Sequence, residues 1–253
     1  MNEQERELCE RGRRLNFFFP AGLLTPGTIF QHARRPETRR RLIDALRKAQ
    51  LDDLDHWRID VLALGLARFG EAWDYLDNIC VAHAFAELAG PKNVLEIGVR
   101  RGMSTVAIAA GTPDANLTCI DLWIQGYGER PNPGESAIRP DLLAVGHRGN
   151  VVFHTGNSHQ VLPQLFAQQP GVEFDLILVD GDHTEAGALQ DLRDVFPHLG
   201  PGGMLVFDDV GHPMHPELFG LWQRCMNELG MNVRHATYRD HGHGVAIALR
   251  STF

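Results

Sequence analysis

From residue 92 onward, short apolar runs alternate with stretches of helical periodicity. The runs are Asn93 to Ile97, Leu117 to Leu122, Val151 to His154, Phe174 to Val179, Met204 to Phe207, Asn232 to Tyr238 and Gly244 to Leu249. Apolar runs of this length separated by helices are the pattern of strands buried on both faces, which predicts a seven-stranded, mostly parallel α/β sheet. The last two runs are joined only by the short turn Arg239-Asp240-His241-Gly242-His243, so they are predicted to form an antiparallel pair. Residues 1 to about 90 contain no convincing strand. The chain therefore divides into a helical N-terminal extension, residues 1–90, and an α/β domain, residues 91–253.

Within the extension, Pro36 is placed for a first helical turn, and Leu42, Ile43 and Leu46 recur behind it at helical spacing. Two further helices are predicted at Asp53 to Ala67 and at Glu71 to Leu88, the second closing at Gly90-Pro91. His83 lies among apolar neighbours of that second helix and reads as a core histidine. The segment Asn16 to Leu24 is apolar but broken by Pro20 and Gly22, and it needs a surface to bury itself against. A subunit interface, a lid over the active site, or its own domain would each serve. The longest stretch without an assigned element, Trp123 to Gly149, carries a short helix at Pro140 to Val145; such an insertion at the end of a sheet is commonly a functional loop.

Charge changes this picture in one respect. The net charge is −8, yet residues 1–50 hold 11 basic and 6 acidic side chains, leaving 13 basic against 26 acidic in the remainder. An acidic α/β part repels a polyanion, which argues against nucleic acid and for a small-molecule ligand. The basic run from Arg34 to Arg41 reads as the solvated face of a helix. Cys9, Cys80, Cys119 and Cys225 form no Cys-x-x-Cys pair, so reduced, packed thiols are expected. The charged N-terminus and the absence of a long apolar run give the expectation of a cytoplasmic protein without a membrane partner.

The chemistry concentrates in Val94-Leu95-Glu96-Ile97-Gly98-Val99-Arg100-Arg101-Gly102-Met103-Ser104-Thr105. An apolar strand ends there in an acid, and a turn with Gly98 and Gly102 opens a helix that starts near Ser104. Such a turn lets a ligand approach the backbone and meet helix N–H groups. With Asp121 closing the next strand, the segment resembles the first two motifs of class I S-adenosylmethionine-dependent methyltransferases, a resemblance that covers roughly residues 80–253. It implies a Rossmann-like sheet and an S-adenosylmethionine cofactor. Asp121 would accept hydrogen bonds from the ribose hydroxyls, Glu96 and the Gly98 to Gly102 turn would hold the methionine end, and Gly156-Asn157-Ser158 would lie by the adenine. The commonest family pattern has a further glycine where Arg100 stands. That leaves Arg100 to meet the cofactor carboxylate or to point to solvent. A dinucleotide-binding domain fits less well, because its turn reads Gly-x-Gly-x-x-Gly.

Further along, Asp180-Gly181-Asp182-His183 ends the fourth strand and Asp208-Asp209 ends the fifth. Adjacent strands lie ~4.8 Å apart, so these carboxylates can converge on one hard divalent cation such as Mg²⁺. Helix capping is the alternative use of such acids, and Asp182 suits it. The pattern resembles the metal-dependent sugar O-methyltransferases of the macrocin and mycinamicin type. Carried over, that resemblance makes Asp180, Asp208 and Asp209 metal ligands, with Asp180 also beside the cofactor, and His183 the general base toward a sugar or natural-product hydroxyl. A homo-oligomer is expected.

Five more histidines, His212, His215, His235, His241 and His243, crowd the C-terminal region. Asp209, His212 and His215 together imitate the two-histidine, one-carboxylate site of non-haem iron hydroxylases. A hydroxylase-like metal enzyme, or a silent S-adenosylmethionine-binding or assembly protein, are therefore the rival readings.

Overall fold

The computed structural model describes residues 3–15, 24–126, 130–229 and 233–251. Its centre is one seven-stranded sheet: β1 (Asn93–Ile97), β2 (Asn116–Asp121), β3 (Val151–Thr155), β4 (Phe174–Val179), β5 (Leu199–Asp208), β6 (Val233–Tyr238) and β7 (Val245–Arg250). The strands lie in the order β3-β2-β1-β4-β5-β7-β6. The first five run parallel, and β7 pairs antiparallel with both β5 and β6. The expected architecture and the antiparallel terminal pair are both present.

Side chains alternate strictly between the two faces, as a period of two requires. Val94, Leu176, Leu178, Met204 and Val206 point into one buried cluster. Leu95, Ile177, Val179, Leu205 and Phe207 point into the other. The second face is covered by α8 (Ser158–Gln168), α9 (Glu185–Val195) and α10 (Glu217–Leu229). The first is covered by α6 (Met103–Gly111) together with four helices that precede β1: α2 (Pro26–Arg34), α3 (Pro36–Leu46), α4 (Asp53–Phe69) and α5 (Asn78–Ala89). The extension thus supplies a layer of the main core. A further helix, α1 (Glu3–Arg14), precedes them, and α7 (Glu135–Ala144) lies in the long insertion after β2.

Several predicted boundaries shift; the short helix expected at Pro140 to Val145 runs instead from Glu135 to Ala144. The helix expected from Glu71 begins at Asn78, because Asp77 caps it by accepting from the Cys80 N–H at 2.8 Å. The chain before it is held by Arg39, only 1% exposed, whose guanidinium donates to the carbonyls of Trp73 (2.9 Å) and Tyr75 (2.6 Å). Strand β5 starts at Leu199, ahead of the predicted Met204, because Gly200-Pro201-Gly202-Gly203 forms an irregular extension beside β4 rather than a turn. His83 is buried as expected, its Nδ1–H donating to the Ala107 carbonyl at 2.7 Å. Residues 16–23, the core of the segment read as lid or interface, lie outside the described residues. Among the described residues, no helix is long and apolar enough to cross a membrane.

Candidate functional site

The sequence motifs meet at the carboxyl ends of β1, β2, β4 and β5, where open α/β sheets place their ligand crevices. Gly98 leaves β1 at φ +86°, and a Cβ there would lie 1.8 Å from the Asp180 carbonyl oxygen. Only glycine lets the turn pass this close to the end of β4. Backbone bonds lock the junction: the Gly98 N–H donates to Ile120 (3.0 Å) and the Asp180 N–H to Ile97 (2.9 Å). Gly102, at φ +87°, opens α6. Arg100 has φ +49°, so the backbone keeps a glycine-like conformation where the commonest family pattern has glycine. Its side chain takes neither expected course. The guanidinium pairs with Asp52 and with Asp55 (3.2 Å), tying the cradle to the first turn of α4.

The carboxylates of the cradle are engaged within the protein. Glu96 is 1% exposed; one oxygen accepts from the Ser104 hydroxyl and the other from the Thr105 hydroxyl at 2.6 Å. Burial pushes its pKa up to about 7 against the opposing effect of those hydroxyls. Glu96 therefore braces the start of α6. Asp121 Oδ2 accepts from the Val99 and Arg100 N–H groups, each at 2.7 Å, and its Oδ1 from the Trp123 N–H at 2.5 Å. It shapes the β1 turn and stands at the mouth of the crevice, half-buried. Asn157 caps α8 by accepting from the His159 N–H at 2.9 Å, and Ser158 is buried facing the Asp191 carboxyl. Each of these two side chains thus has a partner within the protein, while Asn157 stays exposed beside Gly156.

Sequence reading overlooked Leu122 and Ile124, each 52% exposed directly after Asp121. Two uncovered aliphatic side chains beside the crevice suit the face of an aromatic ring. The signal was present in Asp121-Leu122-Trp123-Ile124, but Leu122 had been read as the last strand residue.

The second half of the site is anionic. His183 Nε2 lies 3.4 Å from Asp180 Oδ1 and 3.1 Å from Asp209 Oδ2, off the line of a good hydrogen bond to either. The tips of β4 and β5 therefore converge. Contact with Asp180, then Asp209, raises the His183 pKa to about 11, so the ring does not titrate near neutrality in this arrangement. Burial, the histidine contact notwithstanding, raises Asp180, and burial followed by repulsion from Asp180 and Asp209 raises Asp208 well above the carboxylate range. Asp209 alone is lowered, its histidine contacts outweighing burial. Asp182 does not cap α9: Thr184 does, accepting from the Gly187 N–H, while Asp182 accepts from the Thr184 N–H at 2.8 Å.

The extension contributes to this centre, which was not read from the sequence. Asn78 Nδ2 donates to Asp180 Oδ2 at 3.2 Å, and Arg58 reaches Asp77 and Asn78, each at 3.4 Å. Burial opposes the Arg58 charge, yet Asp77 and Asp208 hold its pKa above the ordinary value. Nothing in the local pattern of α4 distinguishes Arg58 from a solvated arginine.

The donor set of Asp180, Asp208 and Asp209 fits a hard divalent cation: all are oxygen ligands, and two are pushed toward protonation by mutual repulsion and burial. The three do not close on a single point, however. Among the described residues, the only three-residue set whose ligand atoms all lie within 4.8 Å of one another is Asp209, His212 and His243. His215, which the rival hydroxylase reading sets with Asp209 and His212, stacks on His183 with ring centroids 5.1 Å apart.

Known proteins resemble this chain in sequence and in fold. A family model described as a methyltransferase domain matches residues 95–210, which run from β1 to just past Asp209. A catechol O-methyltransferase of Niastella koreensis is 30% identical over 132 residues, 49% of this chain and 52% of that protein; the chain spans about half the length of this curated relative. The O-methyltransferase TomG of Streptomyces achromogenes, involved in tomaymycin synthesis and solved with S-adenosylmethionine, superposes with a TM-score of 0.53 at 24% identity, covering 75% of this chain and 87% of its own. CalS11, a TDP-rhamnose 3′-O-methyltransferase of calicheamicin biosynthesis, gives 0.53 at 20% identity, covering 85% and 93%. The fold is that of the class I methyltransferases.

Proposed function

We propose that the protein is an S-adenosylmethionine-dependent O-methyltransferase that uses Mg²⁺ and acts on a hydroxyl of a sugar or other small natural product. The observation that carries this reading is the junction of two sites at the carboxyl ends of the central strands, where Gly98 of the nucleoside-type cradle packs directly on Asp180 of the acid cluster. The methyltransferase-domain match over residues 95–210 supports the reaction class, and the sugar specificity named for CalS11 supports the acceptor class.

In this reading Asp121 meets the ribose, the Gly98 to Gly102 turn and the start of α6 meet the methionine end, and Leu122 and Ile124 flank the adenine. Glu96 keeps the first turn of α6 in place through Ser104 and Thr105. Asp180, Asp208 and Asp209 would hold the metal. When bound, the cofactor supplies an electrophilic sulfonium methyl, and Mg²⁺ supplies charge that acidifies and orients an alkyl hydroxyl. Methyl transfer would join that carbon to the acceptor oxygen and release the thioether, and the hydroxyl proton would need a base. In this reading His183, beside Asp180 and Asp209, is that base, and it can accept a proton only when those carboxylates are neutralised and stop holding its own. Asn78 and Arg58 keep Asp180 oriented from the extension side. The protein is read as cytoplasmic and homo-oligomeric, with residues 1–90 shaping the acceptor side of the methyltransferase domain.

Calorimetry with S-adenosylhomocysteine, with and without Mg²⁺, tests the reading, followed by a screen of glycosylated metabolites for the roughly 14-Da gain of one added methylene in an O–H to O–CH3 conversion. Micromolar nucleoside binding and a Mg²⁺-dependent product are expected. Failure to bind the nucleoside overturns the proposal.

A further inference from the structure

Strand β5 ends in an unusual turn. Asp209 adopts φ +62°, a left-handed conformation unfavourable for a residue with a Cβ, which persists only where its surroundings fix it. What fixes it is the β6–β7 hairpin. The Gly211 N–H donates to the His243 carbonyl at 2.6 Å, and a Cβ on Gly244 would lie 2.7 Å from the Gly211 nitrogen. Glycines at both positions let two backbones touch.

The result is that side chains distant in sequence face one another. His243 Nδ1 lies 3.3 Å from Asp209 Oδ1, and the His212 and His243 rings meet edge to face with centroids 4.0 Å apart. Asp209 consequently serves two sides, Oδ2 toward His183 and Oδ1 toward His243. Metal–ligand bonds of about 2.0–2.2 Å in a tetrahedral site separate the ligand atoms by about 3.3–3.6 Å. The His243–Asp209 spacing of 3.3 Å already matches this, and the ligand atoms of all three residues lie within 4.8 Å of one another. The His212 Nδ1 lone pair is engaged only by the Met214 N–H, at 3.0 Å, in an exposed turn where water can take over the donor.

We propose that Asp209, His212 and His243 form a cation site separate from the Asp180 and Asp208 side of the acid cluster, suited to a borderline transition metal of the zinc class. Two imidazoles and one carboxylate, with the remaining positions open to solvent, favour Zn²⁺, Co²⁺ or Ni²⁺ over Mg²⁺. Occupancy draws Asp209 away from the acid cluster, so such a metal inhibits methyl transfer. That consequence rests on the proposed activity; the site itself does not.

Titrating the full-length protein with Co²⁺ tests the site through the visible d–d absorption of a four- or five-coordinate complex. One equivalent is expected to bind, Zn²⁺ to displace it and millimolar Mg²⁺ to leave it in place. His212→Ala and His243→Ala each weaken Co²⁺ binding at least tenfold, while His241→Ala does not. His243 is exposed and His212 half-buried, and an unchanged thermal transition confirms that the variants fold. Absence of a Co²⁺ band, or Co²⁺ affinity insensitive to both variants, overturns the site. Zinc inhibition that persists in both variants overturns the inhibitory role. Nucleoside calorimetry on the same samples reports separately on the methyltransferase reading.

Discussion

Gly98 and Asp180 touch through their backbones: a Cβ on Gly98 would stand 1.8 Å from the Asp180 carbonyl oxygen and 2.4 Å from its carbonyl carbon. The contact is between two strand ends held by ladder bonds, so neither can move aside cheaply. Gly98→Ala also places an alanine at φ +86°. The substitution is expected to destabilise the fold by at least ~2 kcal/mol and to weaken S-adenosylhomocysteine binding more than tenfold. Urea denaturation and calorimetry check both, and wild-type values would show that the junction is more pliant than its geometry.

Glu96 sets a second expectation, through pH. Burial raises its carboxyl to about 7, above the ordinary 4.5, with the Ser104 and Thr105 hydroxyls only partly offsetting that effect. A raised acid stabilises the fold in its protonated form, so stability falls as pH rises from about 4.5 to about 7 and then levels. The total change is on the order of 3 kcal/mol. Glu96→Gln, which keeps an amide within reach of both hydroxyls, is expected to remove that slope. Chemical denaturation across pH 4 to 8 would contradict the assignment if both proteins showed the same slope.

Much of this was readable in the chain because strands buried on both faces announce themselves. Leu176 to Val179 is apolar at every position and is buried at every position. The Gly98 to Gly102 turn was equally legible, since each glycine answers a backbone need. What pairs with what was not. Arg100 looked like a residue facing ligand or solvent, but its partners, Asp52 and Asp55, come from a helix about 45 residues earlier in the chain. His215 follows Asp209 closely in sequence, yet the hairpin delivers His243 to Asp209 instead. Local pattern specifies elements; long-range partners depend on how layers stack, and Arg58 and Asn78 were missed for that reason.

His183 and His212 should titrate far apart. Asp180 and Asp209 raise His183 to about 11, whereas burial lowers His212 from its ordinary 6.5. Because the folded-state pKa of His183 exceeds the unfolded value, its pairing stabilises the metal-free fold fully below pH 6.5. That contribution is lost as pH climbs through about 11. In a histidine-ring NMR titration of metal-free protein, His183 is expected to remain protonated at pH 9, with His212 neutral above pH 6.5. Loss of the His183 proton near neutrality would mean that the two carboxylates do not embrace it.

Arg100 and Asp55 offer the sharpest test of how the extension is fastened to the cradle. Asp55 is fully buried, and burial raises its pKa while Arg100 pulls it down. The Arg100 Nη1 lies 3.2 and 3.3 Å from the two Asp55 oxygens, and its Nη2 reaches Asp52. Removing the arginine strands a buried carboxylate, which costs more than the pair itself contributes. Arg100→Ala is therefore expected to destabilise by about 2–3 kcal/mol, less than a fully buried pair because the guanidinium is partly solvated. Adding Asp55→Asn removes the stranded charge, so the double variant should be more stable than Arg100→Ala alone. A double-mutant cycle in urea measures the difference. Strict additivity would show that Arg100 acts through its backbone conformation at φ +49° and not through the ion pair.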